Sequence, residues 1–379
     1  MKFISTLAFA ASLAHASPKP SVSHGALYFL DSDPQGASVV SFSIDENGIP
    51  RNPQRTSTSG SGLIGMNVNG TVKMDPLFSQ GSIIVNGNLL FTVNAGSNTL
   101  AALHIPKHDP VHPILLGKPA DTVGTTPSTV AYSRKNNIAC VANTGVNPGV
   151  QCFTVSRRHG LKPIGSLKPL PVQAQTNPIT GPPNTVSDIL FNPSETALFV
   201  TMKGDGLSDG YVYAYKVNDG TVSEEVVVSR PINLPVAFGM SFYSDDAAVI
   251  VTPAYGAAFV SITEGLNVVT EYNITVPGQV ATCWSVVSED SSSVYLLDAG
   301  VANITSLNTE TMAIENTLSG YEMGMGNFDG IIAGSKLYVL QAAPSIATFD
   351  LEDPSCGLEV TDLSGLGERA SWIGMAAYN

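Results

Sequence analysis

Four polar side chains are candidates for binding a small ligand: Asp188, Lys203, Asp205 and Asp298. Lys203 and Asp188 attract attention first, because a carboxylate near a lysine keeps the ammonium group charged. Such a pair could bind a carboxylate ligand, with Asp205 beside it. The same residues could equally form an ordinary ion pair that contributes little to stability. The chemistry indicated is therefore anion binding rather than nucleophilic attack.

Three histidines recur at four-residue intervals, His104, His108 and His112, and Asp109 lies among them. On one face of a helix, three imidazoles with this spacing could share a metal ion. Prolines interrupt the stretch, so a regular helix is excluded and a solvated loop is favoured. The sequence therefore predicts no metal site and no cofactor.

A repeat supplies the elements that must position these residues. Each copy reads as an apolar strand, a polar turn and a second, alternating strand. The seven copies begin at Leu27, Leu90, Ala139, Leu198, Val249, Val294 and Leu337. Self-similarity at this period, with about four strands per unit, is typical of β-propeller blades. The sequence predicts an all-β, seven-bladed β-propeller with four-stranded antiparallel blades.

A further strand precedes the hairpin in the later copies and is expected to be the innermost strand of its blade. These strands are Ser128–Tyr132, Ser187–Phe191, Gly239–Tyr243, Cys283–Val287 and Asp329–Ala333. The first copy has a hairpin, Ala26–Ile44, without an inner strand, and the chain ends in a lone strand, Ser371–Tyr378. The C-terminal strand is therefore predicted to close the first blade, which removes open sheet edges.

Polar residues recur one position after an apolar strand in five copies, where a propeller would gather them near one end of the channel. They are Asp31, Asn94, Asn143, Asp298 and Gln341. Most such residues only make local turn bonds, so the departures at Asp188 and Lys203 are the better candidates. Two long excursions, Asn52–Gly62 and Lys168–Asn184, are predicted to be loops, and the second could lie over the channel mouth.

The first residues have the pattern of a secretory leader: a positive start, an apolar run and an Ala-His-Ala cleavage site. Residues 1–16 are therefore interpreted as a signal peptide, 17–23 as a flexible tail and 17–379 as one domain. The apolar run is too short to span a bilayer, and no later stretch is apolar enough to do so. We expect a secreted protein, either free or associated with the cell wall.

Three sequons agree with a secreted glycoprotein. They are Asn69, Asn273 and Asn303. The net charge is −13 and no basic stripe is present, which disfavours nucleic acid and anionic membranes. The expected partners are a small carboxylate, a carbohydrate or an extracellular protein, and the chain is expected to be a monomer.

Four cysteines allow three pairings in an oxidising compartment. Cys140 and Cys152 lie on strands that flank one turn, so they can face each other across a hairpin. A Cys140–Cys152 disulfide is predicted. Cys283 and Cys356 fall in different copies, and the sequence does not decide whether they pair.

The repeats resemble the seven-bladed lactonase propellers, which include bacterial 6-phosphogluconolactonases and fungal 3-carboxymuconate cyclases. The resemblance is carried by LLFTVNAGSNTL, TPSTVAYSRKNNIACVANTG, SDILFNPSETALFVT and the C-terminal strand, and it covers nearly the whole mature chain. The leader and sequons are most similar to the secreted fungal branch of 3-carboxymuconate cyclase-like, cell-surface glycoproteins. The resemblance implies the propeller fold, but a shared fold does not fix an activity.

Family members rely on histidine, arginine and glutamate around the channel mouth, and this chain departs from that pattern. It has Pro127-Ser128 where Pro-His is usual, Val186-Ser187-Asp188 where Pro-Arg-His is usual, and Met202-Lys203 where Asn-Glu is usual. Two hypotheses follow. The protein is a secreted glycoprotein that binds a ligand or partner without the family's catalysis. Alternatively, it is a lactonase or cycloisomerase that uses Asp188 and Lys203 on a carboxylated lactone or muconate.

Overall fold

The computed structural model describes residues 25–171, 175–321, 323, 325–353 and 358–379. The predicted leader, the predicted tail and Cys356 lie outside these ranges. The described residues form β-strands and a short 3-10 turn, Arg369–Ser371. Within these ranges, no helix has both the length and the apolar character needed to cross a membrane.

Seven antiparallel sheets form the seven blades, as the repeat predicts. The first blade contains β1 (Ala26–Asp31), β2 (Ser38–Ile44), β3 (Pro50–Ser57) and the last strand, β32 (Trp372–Tyr378). Outside the blades lies β4 (Met66–Asn67). The second blade contains β5 (Ile83–Asn86), β6 (Leu89–Asn94), β7 (Thr99–His104), β8 (Ile114–Leu115) and β9 (Ala120–Asp121). The third contains β10 (Pro127–Ser133), β11 (Ile138–Asn143), β12 (Gly149–Ser156) and β13 (Gly160–Pro169).

The remaining blades follow the same order, with the innermost strand first. After β14 (Thr180–Gly181), the fourth blade contains β15 (Val186–Phe191), β16 (Ala197–Met202), β17 (Tyr211–Asn218), β18 (Thr221–Val222) and β19 (Val227–Ser229). The fifth contains β20 (Met240–Ser244), β21 (Ala247–Thr252), β22 (Gly256–Ile262) and β23 (Val268–Thr275). The sixth contains β24 (Thr282–Val287), β25 (Ser293–Asp298), β26 (Ile304–Asn308) and β27 (Ala313–Leu318). The seventh contains β28 (Asn327–Ala333), β29 (Lys336–Gln341), β30 (Ser345–Asp350) and β31 (Leu358–Asp362).

Burial falls from the centre of each blade to its rim, and this explains the strand sequences. All six residues of β16 are buried, and they are mainly apolar because both faces of this strand pack against neighbouring blades. The rim strand β27 is exposed over its first five residues and reads AIENTL. The prediction of a loop over Asn52–Gly62 is wrong in its first half, because residues 52–57 belong to β3. A rim strand needs few apolar side chains, so its sequence resembles a loop.

The C-terminal strand closes the first blade, as predicted. β32 pairs antiparallel with β1, with Ala26 opposite Tyr378 and Asp31 opposite Trp372. The Trp372 ring lies 5.1 Å from the ring of Phe29, centroid to centroid. The two ends of the chain are therefore joined both by a ladder of backbone hydrogen bonds and by side-chain packing.

The third blade contains the predicted disulfide. Cys140 and Cys152 are opposite each other in the β11–β12 ladder, and their sulfur atoms are bonded. Cys283 is a buried free thiol in β24.

Two long connections between blades meet each other outside the blades. Residues 58–82 connect β3 to β5, and residues 170–185 connect β13 to β15. The short strands β4 and β14 pair in parallel, with Thr180 opposite Met66. The predicted loop Lys168–Asn184 is therefore anchored to β4, which follows the predicted loop Asn52–Gly62 in the chain.

Deletion of residues 371–379 tests the closure of the first blade. Loss of β32 leaves the β1 edge unpaired and removes Trp372 from the core, so we expect no cooperative folding. Circular dichroism and thermal melting of the purified protein will measure this. Deletion of Asn379 alone is the control and should melt like the full chain. A truncated protein that is produced in normal yield and melts at the same temperature would contradict the expectation.

Candidate functional site in the central channel

One end of the central channel is filled by the chain itself. Residues 75–81, here called the channel segment, contact the inner strands of several blades. Ser79 Oγ donates to the Ser128 carbonyl (2.7 Å) of the third blade, and the Trp284 indole of the sixth blade donates to the Ser79 carbonyl (3.1 Å). Such contacts with separate blades place the segment on the propeller axis.

Gln80, near the C-terminal end of the channel segment, bridges two blades across the channel. Its backbone N–H donates to the Ser187 carbonyl (2.8 Å). Its side-chain amide donates to the Ser285 carbonyl (3.1 Å) and accepts from the Ser285 N–H (3.0 Å). Gly239 makes room for it, because a β-carbon there would lie 2.2 Å from Gln80 Oε1. Gln80 therefore joins the fourth and sixth blades and separates a closed end of the channel from an open end.

Lys203 lies inside the closed end and not at an exposed mouth. Its side chain is fully buried, and its ammonium group lies 4.1 Å from the centre of the Phe238 ring. Nζ donates to the Phe78 carbonyl (2.5 Å), to Ser187 Oγ (2.8 Å) and to Thr185 Oγ1 (3.2 Å). The channel segment therefore covers Lys203, which the sequence alone did not reveal.

The hydrogen bonds show which protonation state Lys203 requires. Ser187 Oγ donates its proton to the Ala237 carbonyl, and Thr185 Oγ1 donates to the Pro182 carbonyl. All three partners of Lys203 are therefore acceptors, and three donors are present only in the ammonium form. Burial lowers the pKa of Lys203, while the Asp75 carboxylate opposes that change.

Asp75 supplies the opposite charge at the closed end. It is buried, and Oδ1 accepts the backbone N–H of Phe78 (2.8 Å). Burial raises the pKa of Asp75, and Lys203 opposes that change. Arg369 also approaches this region, where it donates to the Met74 carbonyl (3.3 Å) and lies 5.2 Å from the Phe328 ring centre. The closed end therefore holds two buried cations around one buried carboxylate.

The four candidate residues from the sequence do not converge. Lys203 forms no ion pair with Asp188 in the described part of the chain. Asp205 is exposed, and its Oδ1 accepts the N–H groups of Leu207 (2.9 Å) and Ser208 (2.6 Å) in its own turn. Asp298 is buried and accepts three backbone N–H groups from the loops before and after its strands.

The recurring polar positions after the second strands fasten neighbouring loops. Asn94 Oδ1 accepts from Thr58 Oγ1 (2.6 Å), and Asn143 Oδ1 accepts from Thr122 Oγ1 (2.8 Å). Asp31 instead accepts from Arg55 Nη1 (2.6 Å) on β3 of its own blade and from Ser371 Oγ before β32. All of these side chains except that of Arg55 are buried, and their hydrogen bonds explain the recurrence without a ligand.

The open end of the channel contains two adjoining cavities, of about 320 and 400 Å³. Both cavities are lined by Gln80, Gly81 and Ile84, so they adjoin each other at the C-terminal end of the channel segment. Asp329 lines the first cavity and Asp188 lines the second. Asp188 is therefore at the open end, while Lys203 is on the other side of the channel segment.

Asp188 is held by the backbone and by one hydroxyl group. Its Oδ2 accepts the N–H of Met240 (3.2 Å), and Oδ1 lies 3.5 Å from Thr129 Oγ1. Burial raises the pKa of Asp188 to about 7, and these hydrogen bonds oppose the increase.

Asp329 is the functional candidate that sequence reasoning missed. Its φ of 68° is unusual for a non-glycine residue, and it lies where the register of β28 against β29 shifts between Asn327 and Gly330. Oδ1 accepts the N–H of Gly330 (2.8 Å), whereas Oδ2 has no hydrogen-bond partner among the described residues. Burial raises the pKa of Asp329 to about 8, and the nearby Asp188 and Asp75 contribute to the increase, whereas the backbone N–H groups of Gly330 and Gly81 oppose it. The Gly81 N–H therefore lies near the carboxyl group, but it makes no hydrogen bond of normal geometry with Oδ2.

No histidine lines either cavity among the described residues. His104 Nδ1 lies 3.2 Å from the Asn88 carbonyl, and His112 Nδ1 lies 2.8 Å from Asp109 Oδ1. In the described part of the chain, no group of three potential metal ligands is assembled.

Replacement of Lys203 tests whether the closed end is structural. Lys203→Met removes the cation that most opposes the raised pKa of the buried Asp75 and leaves the Phe78 carbonyl without its donor, so we expect a loss on the order of 3 kcal/mol in the free energy of unfolding. Asp75→Asn in the same chain should recover most of it, because the two changes act on one interaction. Lys216→Met, at an exposed position of β17, is the control and should change stability by no more than about 0.5 kcal/mol. Urea unfolding will measure the wild type, both single variants, the double variant and the control, and a strictly additive double variant would contradict the coupling of Lys203 to Asp75.

Asp329→Asn tests the raised carboxyl pKa through the pH dependence of stability. A carboxyl whose folded pKa is raised to about 8 stabilises the fold fully below its unfolded pKa, and this contribution is lost as the pH rises towards 8. The Asn variant lacks the cost of ionisation, so its free energy of unfolding should gain on that of the wild type by up to about 1.4 kcal/mol per pH unit between pH 4 and pH 8. Asp219→Asn is a matched control, because Asp219 is exposed and also has positive φ (45°). Chemical unfolding between pH 4 and pH 8 will measure the difference, and a pH-independent difference would contradict the raised pKa.

Comparison with known proteins locates the fold among solved structures. No protein-family model matches the sequence, and no curated protein matches it. A proposed 6-phosphogluconolactonase from Bacteroides fragilis is similar in structure, with a TM-score of 0.63 and 14% identity, over 96% of this chain and all of that one.

Two further solved structures agree with the first. The periplasmic gluconolactonase of Pseudomonas aeruginosa has a TM-score of 0.61 and 14% identity, over 93% of this chain and 99% of that one. A proposed 6-phosphogluconolactonase from Bacteroides uniformis has a TM-score of 0.60 and 16% identity, over 89% of this chain and 97% of that one. Identity at this level shows a shared fold, and the chain is thus similar in architecture to lactonase-type seven-bladed propellers.

Proposed function

We propose that this chain is an extracellular, glycosylated propeller of the lactonase type that binds a small ligand at the open end of its central channel. One observation carries the proposal: the channel segment fills the Lys203 end, whereas the other end leaves two cavities lined by buried carboxyl groups. Ligand sites in proteins are commonly concave, mostly apolar and equipped with a few polar groups.

The extracellular part of the proposal rests on several separate features. The Cys140–Cys152 disulfide favours an oxidising compartment, and one of the similar solved proteins is a periplasmic gluconolactonase. Of the proposed glycosylation sites, Asn69 and Asn303 are exposed and Asn273 is half-buried. Together with the leader-like first residues, these features support an extracellular location. The secreted fungal branch is proposed from the leader and the sequons alone, and the chain is proposed to be a monomer.

Ligand binding is favoured over the chemistry of a cycloisomerase. In the described part of the chain, the cavities lack the histidine and arginine side chains that the family resemblance implies. A carboxylate could reach Lys203 only by displacing the Phe78 carbonyl and two hydroxyl groups that already satisfy the ammonium group. Lys203 is therefore proposed as a support for the channel segment rather than as a ligand-binding group.

Lactone hydrolysis is a second candidate, because Asp188 has a raised pKa and lines a cavity. A carboxylate with a pKa of about 7 can accept a proton from water as the water attacks a lactone carbonyl. The ring C–O bond breaks and the proton passes to the leaving oxygen, which gives the hydroxy acid. This reaction would rise with pH through about 7 and would be lost in Asp188→Asn.

A ligand screen with a cavity-filling variant tests the proposal. The purified glycoprotein is incubated with panels of small amines, lactones, sugars and carboxylates, including 3-carboxymuconate, and its melting temperature and any turnover are recorded. Ile84→Trp should abolish every increase in melting temperature that is caused by a ligand in the channel, because Ile84 lines both cavities. Val269→Trp, on an exposed rim position (44% exposed), is the control and should retain the shifts.

The outcomes separate the two candidates. A melting shift without turnover supports binding, and lactone hydrolysis that Asp188→Asn removes supports the enzyme. Shifts that persist in Ile84→Trp, or no shift with any panel, would overturn the proposal of a channel ligand.

A further inference from the structure

We infer that the open end of the channel recognises an organic ammonium group carried on a short apolar chain, with Asp329 as its main contact and Asp188 beside it. The inference rests on the proposed channel function and specifies its ligand class. A ligand of this class carries the opposite charge to the carboxylate ligand that the sequence predicts.

The unpartnered oxygen of Asp329 is the first observation. Asp329 is buried (4% exposed) and lines the first cavity, yet its Oδ2 has no hydrogen-bond partner among the described residues. A buried carboxyl oxygen without a hydrogen-bond partner is costly, and native proteins rarely leave one unpaired. A bound cation would also compensate for the loss of the carboxyl proton. An ammonium group supplies three donors and a compensating charge.

The charge of the cavity walls is the second observation. The residues that line the two cavities include four acids and, in the described part of the chain, no lysine, arginine or histidine. These acids are Asp188, Glu195, Glu289 and Asp329. Both nearby cations of the channel, Lys203 and Arg369, contact the closed end instead. An acidic, partly enclosed channel attracts cations and disfavours carboxylates.

The apolar part of the cavity wall indicates what the ligand carries besides its ammonium group. Most other residues of the first cavity are aliphatic, among them Ile83, Val85, Val286 and Ile331. An alkyl group would be removed from water against these side chains, which is favourable in proportion to its area. A cavity of about 320 Å³ has room for a small amine rather than for a peptide. A free metal ion would leave this apolar wall without a partner.

Two unusual backbone conformations lie beside the carboxyl groups of Asp329 and Asp188. The left-handed φ of 68° at Asp329 accompanies the register shift in β28. On the other side, Gly81 has a φ of 72°, and a β-carbon there would lie 3.3 Å from Asp188 Oδ1. The glycine thus keeps the space between the channel segment and Asp188 free of side chain.

Titration calorimetry with n-hexylamine, 1-hexanol, hexanoate and CaCl2 tests the inference on the intact glycoprotein at pH 7. We expect hexylammonium to bind, and the neutral and anionic analogues to bind at least about 10-fold more weakly. Asp329→Asn should weaken hexylammonium by about 10- to 100-fold, the loss expected on removal of a charged acceptor. Glu359→Gln, an exposed acid on the rim strand β31, is the control and should leave the affinity unchanged.

Proton release gives a readout that a merely structural Asp329 would not change. The acids that face Asp329 are Asp188, Asp75 and, in the lining of the same cavity, Glu289. A bound cation favours the ionised forms of Asp329 and Asp188, whose pKa values are raised, so binding should release protons. The apparent enthalpy should therefore vary with the ionisation enthalpy of the buffer, and this variation should shrink in Asp329→Asn. If that variant folds poorly, Asp188→Asn serves for the same measurement.

Each remaining outcome has a distinct meaning. Binding of hexanol or hexanoate as tightly as hexylamine, or of Ca²⁺ in its place, would overturn the ammonium assignment and leave the channel function intact. Absence of binding by every compound here, together with no shift in the wider screen, would overturn both.

Discussion

The fold depends on how the central channel is filled. Seven inner strands surround an axis that their own side chains do not close, and here residues 75–81 enter it. Lys203 fixes that segment with a short hydrogen bond to the Phe78 carbonyl, and Gln80 ties it to the fourth and sixth blades. Burial of an ammonium group is tolerable only because three acceptors and the nearby Asp75 compensate for lost water.

This filling makes the two ends of the channel chemically different. The closed end holds its cations in contact with the chain, and the open end retains carboxyl groups with raised pKa. The connections over residues 58–82 and 170–185 are joined by the β4–β14 pair. Both therefore belong to one layer at the closed end. A ligand that approaches along the axis therefore meets acids at the open end and, at the other end, the protein's own backbone.

The similar solved structures share the propeller fold with this chain. Their identity of 14–16% is enough for the fold, which depends on the alternation of apolar residues and on closure. Function depends on a few side chains on that frame. The proposed ligand class therefore rests on Asp329, Asp188 and the cavity walls rather than on the similarity to solved structures.

Local sequence determined the blades, the closure by β32 and the Cys140–Cys152 disulfide, because strand alternation and hairpin spacing act between near neighbours or between repeated units. It also identified Asp188 and Lys203 as departures from the repeat. Only the tertiary structure decided that Lys203 is buried, that Asp188 lies beyond Gln80 and that Asp329 lines a cavity. The physical reason is that the path of residues 75–81 through the axis is fixed by contacts with distant blades, which leave no periodic pattern in the segment itself.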